Sequence, residues 1–162
     1  MALDGALAAL TFGAAIGCGL VAGVFFAFST FVMPALARLP APQGIAAMQS
    51  INVVAITPVF MTALFGTAAA CVVVAAAAVT EWRGVTSAYL LSGSLSYLVG
   101  TIAVTIACNV PLNNALAAVD PNSSDAVWFW QKYVRQWTAW NHVRAVSGLV
   151  AAGFLLIAAS VN

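Results

Sequence analysis

No charged side chain occurs between Asp4 and Arg38, and none occurs from Leu39 to Thr80. Each stretch exceeds the roughly 20 apolar residues that cross the hydrocarbon of a bilayer. Soluble domains spend about 25% of their residues on Asp, Glu, Lys and Arg. Here those residues make up 6% of the chain, against 64% hydrophobic. A water-facing surface cannot be covered with so few charges, so most of the exterior must face lipid. The chain reads as an integral membrane protein. Its net charge of +1, without a basic tail or an acidic block, excludes nucleic acid as a partner.

Charge gaps and turn formers divide the 162 residues into four predicted spans, about 7–33, 53–79, 87–108 and 138–161, within one transmembrane domain covering 1–162. PAPQG (Pro40 to Gly44) separates the first two spans, EWRG (Glu81 to Gly84) the next pair, and DPNSSD (Asp120 to Asp125) precedes the last. The first apolar stretch lacks a positive flank and is longer than a signal segment, so it is expected to be retained. Short connections between successive spans predict an all-α, up-down-up-down four-helix bundle. Lipid gives little hydrophobic drive between helices, so close approach through small residues must replace it. Gly13 and Gly17, Gly19 and Gly23, Gly66, Gly93 and Gly100 are the expected contact points, and glycine faces of this kind also allow a homo-oligomer. Arg38, Lys132 and Arg135 against Arg83 alone predict that the first and third loops are cytoplasmic.

Cys18, Cys71 and Cys108 lie in apolar stretches, odd in number and without a CxxC. They read as small buried hydrophobes, which excludes a zinc site and the four-helix membrane redox proteins that depend on paired cysteines.

The informative polar residues gather at one end of the predicted bundle. Gln49 and Asn52 fall where span two starts, Asn109, Asn113 and Asn114 where span three stops, and WTAWNHVR (Trp137 to Arg144) where span four starts. At about 100° per residue, Trp130, Tyr133, Trp137, Trp140, Asn141 and Arg144 share one arc if the helix is unbroken from about Asp125. The only histidine, His142, points elsewhere. Pro111 is expected to end or kink the third helix. Singly, each residue has a structural reading: interfacial tryptophans such as Trp82 and Trp128, a snorkelling arginine, capping asparagines. Together they need a common cause. Either they lock the helices together by hydrogen bonds or they line a polar site in an apolar cavity.

The segments MQSIN (Met48 to Asn52), NVPLNNALA (Asn109 to Ala117) and WTAWNHVR, with GLVAGVFFAFSTFVMPAL (Gly19 to Leu36), resemble the anthrone oxygenase-like family of small four-helix membrane proteins. The resemblance spans nearly the whole chain. It implies oxidation of an anthrone or related hydrophobic polycyclic or phenolic compound by O2 to a quinone, with no metal and no cofactor. On that reading Arg144 and Asn141 stabilise the developing oxyanion, helped by Asn109 or Asn113. Trp137 and Trp140 wall a dry slot between the third and fourth spans, bordered by Tyr133, Gln49 and Asn52, and His142 is the candidate base. The expected partners are the substrate, O2 and membrane lipids. A second reading makes the chain a non-catalytic lipid- or quinone-binding protein or an assembly subunit. A third, transport, is disfavoured because the spans hold no Asp or Glu to couple protons.

Overall fold

The computed structural model describes residues 5–161, so Asp4, used above to bound the first span, lies outside it. Five helices account for most of the described residues. The four long ones are α1 (Gly5–Leu36), α3 (Pro58–Thr80), α4 (Val85–Ala117) and α5 (Ala126–Ser160), each apolar and long enough to cross a membrane. The fifth, α2 (Ala41–Val54), lies between the first two. Each long helix packs on its sequence neighbours and α5 closes the ring on α1, which gives an up-down-up-down bundle. The chain is a multi-pass membrane protein.

Local chemistry sets the ends. Pro58 opens α3, and the Thr57 hydroxyl accepts the Phe60 N–H at 3.2 Å. Gly84, the only residue with positive φ among those described (φ 64°), turns the chain into α4. Beside it Arg83 pairs with Glu81, and its N–H donates to Ser87 Oγ at 2.9 Å.

Three helix boundaries differ from the predicted spans, α5 starting at Ala126 and not near 138. The second span begins at Pro58, because α2 is a separate helix that stops at Val54. Gln49 and Asn52 therefore sit on α2 and not at the mouth of a span. Pro111 neither ends nor breaks α4, which continues to Ala117. The residues before it, Thr105 to Asn109, form a π turn, and its wider spacing accommodates a residue that has no N–H to give. Similar turns occupy Phe28–Val32, Thr62–Gly66 and Leu98–Ala103.

At about 1.5 Å per residue, α5 is longer than the roughly 30 Å hydrocarbon layer. Its first turns, α2, and the ends of α1 and α4 form a cap beyond the spans. Met33, Ile45, Met48, Leu116, Trp130, Tyr133 and Trp137 make a buried core there, distinct from the core between the spans. Of the four α1 glycines expected at helix contacts, only Gly17 is one. A Cβ on it would collide with Thr67 Oγ1, whereas Gly13, Gly19 and Gly23 have open space around them. Gly93 meets Leu155, Gly100 meets Ser147 and Gly148 meets Ala22, while Gly66 touches only its own helix. Cys18 and Cys71 face each other in the membrane core with sulfurs 4.0 Å apart.

Candidate functional site

An unbroken α5 carries Tyr133, Trp137, Asn141 and Arg144 down one buried stripe. Asn141 uses both of its side-chain donors and one acceptor position here. Its Nδ2 donates to the Phe25 carbonyl oxygen at 2.6 Å and to Ser29 Oγ at 2.7 Å, and its Oδ1 accepts from Arg144 Nη2 at 2.7 Å. Arg144 Nη1 donates to Thr105 Oγ1 at 3.3 Å, while that hydroxyl donates to the Thr101 carbonyl at 2.7 Å. Arg144 Cζ lies over the Phe25 and Trp137 rings, 4.0 and 5.2 Å from their centroids. Thr101 Oγ1 donates to the Arg144 carbonyl at 3.3 Å. Three helices are thus tied at one level, as the lock reading requires.

The charge of Arg144 is what the lock leaves unexplained. The residue is 5% exposed, yet among the described residues the only ion pair is Arg83–Glu81. A guanidinium removed from water without a carboxylate is costly. Here amide and hydroxyl dipoles and two aromatic faces offset part of that cost. Two buried polar atoms of the cluster have no partner: Arg144 Nε and Asn109 Oδ1. Asn109 Nδ2 donates to the Trp137 carbonyl at 3.2 Å, so its oxygen is left over.

On the cap side, Asn113 Oδ1 accepts from both Tyr133 Oη (2.9 Å) and Trp137 Nε1 (2.8 Å). This holds the stack Trp130, Tyr133, Trp137, whose centroids are 5.7 and 6.5 Å apart. Asn52 lies beside the Tyr133 hydroxyl. Gln49 Nε2 donates to the carbonyls of Leu116 and Val119, which ties α2 to the end of α4.

The structure therefore joins Asn141, Arg144, Asn109, Asn113, Trp137 and Tyr133, with Asn52 at the edge. Gln49 is a tie within the cap. Two predicted members are elsewhere. Trp140 stands at the outer edge of the α5 arc and is 42% exposed, because helix neighbours cover the Asn141 edge instead. His142 is exposed on the adjoining face, one helical step from Asn141. Phe25, Ser29, Thr101 and Thr105 complete the cluster and were not anticipated. Hydroxyls within spans ordinarily bond their own helix, so they do not stand out in a sequence. Here π turns, which re-aim the side chains they carry, contain Ser29, Thr101 and Thr105.

Two surface grooves of about 330 and 310 Å³ run along the outer side of this stripe, between α1 and α5. They share Val134 and Arg135, and His142 lies in the larger. Neither opens between α4 and α5, where the slot was expected. Among the described residues no three His, Cys, Asp or Glu side chains come together as a metal site would need.

A sequence model of one protein family, described as anthrone oxygenase, matches residues 59–154, more than half of the chain. The matched part holds Asn109, Asn113, Trp137, Asn141 and Arg144. No curated protein and no solved structure matches the chain.

Proposed function

Because the chain belongs to the anthrone oxygenase family, we propose that it oxidises an anthrone or a related hydrophobic phenol with O2 to a quinone, without a cofactor, using Arg144 to stabilise the substrate's anion. One observation supports this reading above the others: a buried guanidinium with no carboxylate partner, whose Nε is unbonded. Such a group favours an incoming negative charge, and an oxyanion donor in a dry site contributes about 10²–10³ in rate.

The chemistry balances without a bound group. The substrate loses a C–H proton and becomes an electron-rich enolate. This donates an electron to O2, the radical pair joins to a peroxide anion, and the proton returns from water to give a hydroperoxide. Loss of water from that peroxide turns the original CH₂ carbon into C=O, so one O2 is consumed and one water released. Arg144 holds the enolate oxygen through its unbonded Nε, and Asn141, whose two N–H groups are taken by Phe25 and Ser29, orients the guanidinium. Phe25 and Trp137 supply the flat faces, and Asn113 keeps Trp137 in place. His142 faces away from the cluster and takes no part. Water at the membrane boundary removes the proton, and the protein acts by making the substrate more acidic.

Purified protein, an anthrone and air test this by quinone absorbance. Turnover above that of empty detergent, lowered about 100-fold or more by Arg144→Met and less by Arg144→Lys, is the expected result. A rate equal to detergent alone, unchanged in Arg144→Met, would leave a binding or assembly role as the better reading.

A further inference from the structure

The groove between α1 and α5 has a composition that the proposed reaction does not use. On α5, Arg135, Thr138 and His142 are three and four residues apart and share one face, next to the buried stripe. The opposite wall is apolar: Met33 and Pro34, continued by Ala37 in the adjoining groove. Thr138 Oγ1 is buried without a hydrogen-bond partner. Below His142, α5 has one charge, the buried Arg144, so the groove sits where the helix passes from the cap into the spans.

We infer that this groove binds an anionic phospholipid. Arg135 and His142 donate to the phosphate, the Thr138 hydroxyl donates to a phosphate or ester oxygen, and the acyl chains descend the seam between α1 and α5. A cation and an imidazole at headgroup level above an apolar wall complement a charged head with an apolar tail. A rigid polycyclic substrate would find no enclosure there, because the groove is open along its length. The inference is independent of the proposed oxidation.

Delipidated protein in neutral detergent, offered phosphatidylglycerol or phosphatidylcholine and examined by native mass spectrometry, provides the test. The wild-type protein should retain phosphatidylglycerol preferentially. Arg135→Gln should reduce that retention about fivefold, and His142→Gln combined with it should abolish the preference. Arg38→Gln, a charge outside the groove, should leave the preference intact, and melting temperatures should show that the variants remain folded. Equal retention of the two lipids overturns the inference, as does an undiminished preference in the double variant. Displacement of the lipid by millimolar inorganic phosphate would also overturn it, since it would mark a site for free anions.

Discussion

The two cores of this protein are built from different side chains. Between the spans the buried residues are mainly small: Ala14, Ala15, Cys18, Val21, Cys71, Val74, Ala78, Ala151 and Ala158. In the cap they are large: Met33, Ile45, Met48, Leu116, Trp130, Tyr133 and Trp137. The solvent accounts for the difference. Lipid rewards only close packing, so small residues that let backbones approach are favoured there. Near water, burying a large apolar surface is itself stabilising. Asn141, Arg144 and Asn109 lie where one regime passes into the other. A buried cation is least costly at that level, because insertion penalties fall toward the interface. On the proposed function it is also the level at which a hydrophobic substrate from the bilayer would present an ionised oxygen.

The comparison breaks most visibly at the boundary. Asn141→Leu leaves the Arg144 charge, Ser29 and the Phe25 carbonyl without their partner, and should cost about 3–5 kcal/mol, read as thermal unfolding in detergent. A cost under about 1 kcal/mol would mean that the cluster is not a lock at all. A finer test uses one residue type in both solvents. Leu116 in the cap and Leu155 between the spans are each fully buried. Leu116→Ala should cost more than Leu155→Ala by about 2 kcal/mol, the transfer free energy of the three side-chain carbons removed. Equal costs would place both residues in the same solvent regime. The smallest effect belongs to Trp140→Ala. Since Trp140 stands outside the cluster, stability should change by no more than about 0.5 kcal/mol, and quinone formation should be unaffected. A large loss of turnover would restore Trp140 to the site.

Much of the architecture was legible from charge gaps and turn residues, because apolar length alone decides whether a segment can span. The α5 stripe was legible too, since an uninterrupted helix has a fixed angular step. Legibility failed wherever the helical step changes or depends on neighbours. The π turns in α1 and α4 let Pro111 sit inside a continuous helix and bring Ser29, Thr101 and Thr105 to the cluster. No residue pattern announced them. Trp140 lies within the predicted arc, yet only the positions of α1 and α4 determine which edge of an arc is covered. Likewise the cap helix α2 was not legible as a helix ending before the second span, predicted from about 53, because nothing charged separates Val54 from Pro58.

The central claim is that Arg144 is held as a cation ready for an anion, and the ionisation of a bound ligand reports on it directly. A hydroxyanthraquinone changes colour when its phenol ionises, so its titration can be followed in the presence of saturating protein. With the wild-type protein the phenol should ionise about 1–3 pH units below its value in empty detergent, and Arg144→Met should abolish that displacement. A bound phenol that ionises at the same pH as in detergent, or at a higher one, would contradict the account.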